Sequence, residues 1–222
     1  MFTGIVESVG TLKSLVKRGK GYEITVETEP EFALQNRVAI GDSIANNGVC
    51  LTVTRISGNC FYADVSAETV EHTCFKNYTR GQRLNLELAC TPSTHLGGHI
   101  MQGHVDGVGS VIRKTALDDA FDIWIKAPKE LLRYIAHKGS IAVDGVSLTV
   151  NEIVDDTFRL TLIPHTQGVV NFDNFEQGHF VNLEVDVLAR YLERLFLQTA
   201  KDKSQESGGG ITMGTLLKNG FI

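Results

Sequence analysis

The 222-residue chain reads as all-β: one small closed barrel present in two copies, followed by a single amphipathic helix. Three observations predict this. The hexapeptide GVCLTV (Gly48 to Val53) returns as GVSLTV (Gly145 to Val150), with Ser147 replacing Cys50 at an offset of 147 − 50 = 97. Each copy divides into short β-patterned runs bounded by turn residues. Only after residue 186 do apolar residues recur at helical spacing.

The repeat extends well beyond the hexapeptide. Ser43-Ile44-Ala45 recur as Ser140-Ile141-Ala142, Phe61 as Phe158, Thr69 as Thr166, Gly81 as Gly178, and Asn85-Leu86-Glu87 as Asn182-Leu183-Glu184. Gly4, Val6 and Gly10 return as Gly103, Val105 and Gly109, at an offset of 103 − 4 = 99. Solenoid periods run roughly 20–50 residues, so this period marks a duplicated domain. The expected divisions are 1–97, 98–186, a helix over 187–200 and a flexible, Gly-rich tail over 201–222.

The first copy predicts strands at 4–15, 22–28, 43–56, 60–65 and 83–89. The second predicts 104–113, 121–127, 140–153, 157–163 and 179–185. Ser57-Gly58-Asn59 and Asp155-Asp156 are turn clusters. Many short strands favour closure, which removes unpaired edges. Helical pieces are expected near Pro30–Leu34 and Pro128–Ile135, each opening on a proline suited to a first turn. Val187, Leu188, Tyr191, Leu192, Leu195 and Phe196 form the stripe of the last helix. That stripe must be buried, on its own barrels or against other copies of the chain.

Bulk properties narrow the partners. A net charge of −5 without a basic block argues against nucleic acid and anionic membranes. MFTGIVESVG has neither a basic leader nor a long apolar run, so the expectation is no signal peptide and no membrane span. The cysteines at 50, 60, 74 and 90 all lie in the first copy, which suits reduced thiols in the cytoplasm.

The repeated strand has two faces. Val49, Leu51 and Val53 point one way, and Cys50, Thr52 and Thr54 the other. In the second copy Val146, Leu148 and Val150 oppose Ser147, Thr149 and Asn151. The apolar row fills the barrel. The hydroxyl and thiol row faces out, either as a solvated strand face or as a shallow pocket for a flat heterocycle. The copies also differ: Lys138 replaces Gly41, Asp144 replaces Asn47, His165 replaces Glu68 and His104 replaces Ile5. The second copy has gained titratable groups.

The junction holds His95, His99 and His104. Leu96-Gly97-Gly98 will not sustain an i, i+4 helical ligand pair, and in an extended chain His99 and His104 face opposite sides, so the spacing suits zinc poorly. Core or hinge histidines, or a ligand-binding role for His104 beside Gly103, are the other readings. Cys50 is a buried thiol, a nucleophile, or a polar ligand contact matched by Ser147. Lys138 is either a solvated charge or a substrate contact.

MFTGIVE, NGVCLTV, GGHIMQGHVDG and DGVSLTVN, in that order, resemble the riboflavin synthase family of two-repeat lumazine-binding proteins. The resemblance covers about residues 1–200. It implies two tandem six-stranded Greek-key β-barrels and a C-terminal helix through which three chains assemble. The implied reaction is a dismutation in which two molecules of 6,7-dimethyl-8-ribityllumazine exchange a four-carbon unit. Its products are riboflavin and a ribitylamino-pyrimidinedione. It implies no metal and no organic cofactor, a site between the N-terminal barrel of one subunit and the C-terminal barrel of a neighbour, and lumazine synthase as a candidate partner.

By the same resemblance, Gly4, Ile5, Val6, Cys50, Leu51, Thr52, Asp64, Val65, Ser66, Ala67, Glu68 and Thr69 would bind one lumazine. Gly103, His104, Val105, Lys138, Ser147, Leu148, Thr149, Leu162, Ile163, Pro164, His165, Thr166 and Gln167 would bind the other, with Ser43 and Asp144 added to the binding set. His104, Cys50, Ser147 and Lys138 would share proton transfer and the stabilisation of carbonyl or anionic charge. The family also includes antenna proteins that hold a lumazine or flavin as a fluorophore. Those tend to lose residues of the histidine segment, whereas His99, His104, Cys50, Lys138, Asp144 and Ser147 are all present here.

Overall fold

The structure, a computed structural model, describes residues 1–162, 170–172, 175–206 and 213–220. Twelve strands form two closed antiparallel barrels. In the first, β1 (Ser8–Arg18), β2 (Gly21–Glu27), β3 (Ser43–Asn46), β4 (Val49–Ser57), β5 (Cys60–Val65) and β6 (Arg83–Leu88) close in the order β1-β2-β5-β4-β3-β6. The second uses β7 (Gly107–Ala116), β8 (Phe121–Lys126), β9 (Ser140–Val143), β10 (Val146–Val154), β11 (Thr157–Leu162) and β12 (Phe180–Val185) in the corresponding order. Register shifts fall at matching places, Leu12/Ser14 and Val111/Arg113, and Val53/Arg55 and Val150/Glu152. Such bulges sharpen the local twist that a small barrel needs.

The expected alternation holds in the repeated strand. Val49, Leu51 and Val53 are buried in the first core, while Thr52 and Thr54 are exposed and Cys50 is half-buried. Each expected long strand, 43–56 and 140–153, is in fact a hairpin. Asn47 (φ 45°) and Gly48 (φ 80°) turn the first, and Asp144 (φ 44°) and Gly145 (φ 80°) the second. Asn-Gly and Asp-Gly are the strongest short hairpin signals, because both central residues of a type I′ turn need positive φ. Splitting these runs supplies the sixth strand of each barrel.

The two turns meet back to back at the barrel junction. Asn85 Nδ2 donates to the Asp144 carbonyl and Asn182 Nδ2 to the Asn47 carbonyl, both at 2.9 Å. Asn85 N–H donates to Asn47 Oδ1 and Asn182 N–H to Asp144 Oδ1, both at 2.7 Å. These reciprocal bonds relate the two copies by a pseudo-two-fold that interchanges their Asn-Leu-Glu triplets.

The helical pieces differ from expectation in extent. Pro30–Phe32 is 3-10 and Leu34–Arg37 is α, while the second proline precedes only a 3-10 turn at Leu132–Tyr134. A helix at Ala67–His72 was not anticipated. Ser66 caps it by accepting from Thr69 N–H at 3.1 Å. The C-terminal unit, Val187–Ile222, is separate from the unit Met1–Asp186 that contains both barrels. Its helix runs Val187–Glu206, beyond the expected residue 200. A further helix at Met213–Lys218 lies within what read as flexible tail. Lys201 to Glu206 are mostly good helix formers, so the first helix has no local reason to stop.

Candidate functional site: two crossed seats

The first residues of each copy leave their own barrel. The expected strands starting at Gly4 and His104 begin only at Ser8 and Gly107. The residues before them are engaged elsewhere. Ser147 N–H donates to the Gly4 carbonyl at 2.9 Å, and Cys50 N–H to the Gly103 carbonyl, also at 2.9 Å. Val6 belongs to the second barrel's core, and Val105 packs against the first. Phe2 bridges Met101 where the segments cross. The grouping implied by the resemblance is thereby exchanged: Gly4 to Val6 go with Ser147, and Gly103 to Val105 go with Cys50. The exchange follows from the glycines. Gly4 and Gly103 have φ +77° and +78°, and a Cβ would lie 2.6 Å from Ser147 Cβ and 2.5 Å from Cys50 Cβ respectively.

Two glutamates fasten the segments. Glu87 accepts from Thr3 N–H (2.6 Å), Thr3 Oγ1 (2.8 Å) and Gly4 N–H (2.9 Å). Glu184 accepts from the N–H groups of Gln102 (2.6 Å), Gly103 (3.0 Å) and His104 (3.1 Å). Burial raises both carboxyls above the usual range, and these donors oppose that rise. Neither glutamate was among the expected site residues. Their signal was the matched Asn-Leu-Glu triplet.

The first seat is a cavity of about 360 Å³ lined by Val49, Cys50, Ser66, Glu68, Thr69, His72, Thr73, Gly103, His104 and Val105. Seven of the expected residues meet here, and His72 joins them unforeseen. Leu51 and Val65 point into the barrel core, so only their main chain faces outward. Thr52, Asp64 and Ala67 are exposed outside the cavity lining. Ser43 instead lines a neighbouring hollow with Arg37 and Asp42.

The second seat is carried by Ser147, Gly4 and Ile5, with Thr149 exposed farther along β10. Leu162 is buried in the barrel core, and Ile163, Pro164, His165, Thr166 and Gln167 lie outside the described residues. Lys138 stands at the start of this face with positive φ (62°), its N–H held by the Val150 carbonyl at 2.7 Å. Asp144 is a correction. It is 3% exposed in the inter-barrel turn and cannot touch a ligand on the outer face. Burial pushes its carboxyl up to about 7.

His99 is the main residue missing from the expected site set. Its Nδ1 lies 2.7 Å from Ser147 Oγ. Among the described residues its buried Nε2 has no hydrogen-bond partner. Burial lowers its pKa, partly offset by Asp186, so the imidazole stays neutral through the neutral range. The junction histidines disperse: His99 to Ser147, His104 to the Cys50 cavity, and His95 to a hollow beside Thr3 and Ile5. Among the described residues no three His, Cys, Asp or Glu side chains converge as a metal site.

Two like barrels, each with an outward polar seat closed by a segment of the other, define a duplicated module for a flat ligand. A family model, the lumazine binding domain, matches residues 3–89 and 102–186. Riboflavin synthase of Photobacterium phosphoreum is 46% identical over 222 residues, covering all of both chains. That of Bacillus subtilis (strain 168) is 38% identical over 221 residues, again covering both chains fully. Among solved structures, LumP complexed with riboflavin superposes with a TM-score of 0.77 at 31% identity, covering 83% of this chain and 99% of that one. LumP complexed with 6,7-dimethyl-8-(1'-D-ribityl) lumazine gives 0.75 at 30%, with the same coverage. The chain belongs to the riboflavin synthase and lumazine-binding family.

Proposed function

We propose that this chain is a riboflavin synthase. It moves a four-carbon unit between two molecules of 6,7-dimethyl-8-ribityllumazine and releases riboflavin and 5-amino-6-(ribitylamino)uracil. The observation that carries the reading is the pair of crossed seats, Cys50 with Gly103 and Ser147 with Gly4, in a chain matching riboflavin synthases end to end. The two products together hold the atoms of two substrate molecules, so the reaction needs no oxidant or reductant.

One lumazine is assigned to each seat. The Gly4 and Gly103 main-chain groups are taken by Ser147, Glu87, Cys50 and Glu184, so they fix the two segments in place, and the small side chains of Cys50 and Ser147 leave room for a flat face of the ring. Removing a proton from a ring methyl creates negative charge. Neutral His99 beside Ser147 is suited to proton transfer, and Lys138 to stabilising the anion. Cys50 and His104 take the corresponding places at the first seat.

The reading extends to domains and assembly. Residues 1–97 and 98–186 are taken as the two lumazine-binding barrels, and the helix Val187–Glu206 as the oligomerisation element. On the helix, Tyr191, Leu192 and Phe196 are 64%, 54% and 72% exposed in the single chain, which supports burial against other copies in a homotrimer. Among the described residues no helix is long and apolar enough to cross a membrane, and the reading places the enzyme in the cytoplasm. Lumazine synthase is its candidate partner.

A second reading, non-catalytic carriage of a pigment, is favoured by the likeness to LumP complexes. Incubation with 6,7-dimethyl-8-ribityllumazine separates the two. Riboflavin absorbance should rise, and should do so in EDTA. Tight binding without riboflavin would support the carrier, and loss of turnover in EDTA restored by zinc would contradict the metal-free chemistry.

A further inference from the structure

We infer that Asn151, oriented by Thr161, Asp122 and Arg159, is a positioning residue that aims Lys138 at the second seat. The inference rests on the role given to Lys138 above. Lys138 Nζ donates to Asn151 Oδ1 at 3.3 Å. Asn151 Nδ2 donates to Thr161 Oγ1 at 2.8 Å, and Thr161 Oγ1 donates to Asp122 Oδ1 at 2.6 Å. Arg159 closes the row, donating through NH1 to Asp122 Oδ2 at 2.9 Å and through Nε to Glu152 Oε2 at 3.1 Å.

The direction of this row matters. A threonine hydroxyl has one proton, and Asp122 takes it. Thr161 can therefore only accept from Asn151, which fixes the amide with its NH2 toward Thr161 and its oxygen toward Lys138. Flipped, the amide would turn two donors on an ammonium that can only donate. The Arg159–Asp122 pair, with side chains 25% and 18% exposed, holds the Asp122 carboxylate in place to accept from Thr161.

The first copy has nothing equivalent. Its corresponding positions are Gly41, Thr54, Asp64, Glu23 and Tyr62. Thr54 Oγ1 donates to the Tyr62 carbonyl, and Arg55 lies over the Tyr62 ring at 3.5 Å. The row accompanies the one barrel that carries the lysine. Asn151 also continues the outward row Ser147, Thr149, Asn151 of β10, so Lys138 is tethered to the same strand face that presents Ser147.

A double-mutant cycle on lumazine turnover tests this with the full-length protein. Asn151→Ala should lower kcat about tenfold with little change in KM, the scale of one charge-assisted hydrogen bond. In a Lys138→Met background the same change should cost less than about twofold, because its target is gone. Thr161→Val, which leaves Asn151 in place but frees its amide, should reproduce part of the loss; it carries the comparison where Asn151→Ala melts early. Equal losses in both backgrounds would assign Asn151 a structural role and overturn the inference. So would unimpaired Asn151→Ala beside an impaired Lys138→Met. Full activity of Lys138→Met would remove Lys138 from the site, and the inference with it.

Discussion

The Ser147 N–H donates to the Gly4 carbonyl across 2.9 Å, so the fourth residue of the chain helps build the seat of the second barrel. Cys50 and Gly103 repeat the arrangement at the first. A duplication that kept each copy self-contained would have left two independent binders. Here each polar row is finished by the other copy, and both crossings converge near Phe2 and Met101. The crossing finishes each seat within one chain, and chemistry between two ligands then needs two finished seats brought face to face.

Isolated residues 1–97 are expected to bind lumazine only as a pair. Alone, the module retains Cys50 but lacks Gly103 to Val105, and its own Gly4 to Val6 have lost Ser147. In a dimer the Gly4 segment of one copy can take the place of the Gly103 segment of the other. Fluorescence titration beside analytical ultracentrifugation should show binding rising with dimer formation. Tight binding by a monomer would mean that the crossing is dispensable.

Much of this was legible in the sequence. The 97-residue period follows from direct repetition, the Val49-Leu51-Val53 row from the alternation that burial enforces, and the helical stripe from its 3.6-residue spacing although it is exposed in the single chain. The exchange was not legible, because Gly4 and Gly103 occupy equivalent repeat positions and either assignment satisfies the repeat. The pairing of His99 with Ser147 was also hidden, since it spans 48 residues. Asp144 looked like a gained titratable group on the ligand face. The Asp-Gly turn beside it is what sends it inward.

Asp144 predicts a pH dependence of stability. Its carboxyl is raised from an ordinary 3.8 to about 7 by burial. A folded state that holds the proton more tightly than the unfolded chain is stabilised at low pH. That stability is lost as pH rises between these values and is fully gone above the folded pKa. Asp144→Asn, copying Asn47 of the first barrel, abolishes the dependence. Denaturant unfolding should therefore show the variant gaining on the wild type from pH 5 to pH 8, by an amount on the order of a few kcal/mol. A difference constant across that range would place the titration elsewhere.

His99 and Ser147 should behave as one unit in turnover. Each alanine variant is expected to lose roughly 10²–10⁴-fold in kcat, with the double variant no worse than the poorer single. Because burial lowers His99 from its ordinary 6.5, the acid limb of the pH–rate profile that reports it should lie below that value in the wild type. Multiplicative losses would separate the two residues.

The C-terminal helix should hold the assembly. Leu192→Asp with Phe196→Asp places two charges on its exposed apolar stripe, and each lost burial is worth roughly 1.5–3 kcal/mol. Sedimentation should shift from trimer toward monomer. Turnover should fall with it and recover at higher protein concentration. A fully active monomer would mean that both seats operate within one chain.

The most direct measurement is a crystal structure of the protein with 6,7-dimethyl-8-ribityllumazine. Two bound rings per chain are expected, one against Cys50 and the Gly103–His104 main chain, the other against Ser147 and the Gly4–Ile5 main chain. A ring at Cys50 contacting Gly4, or ligand bound away from both polar rows, would contradict this arrangement.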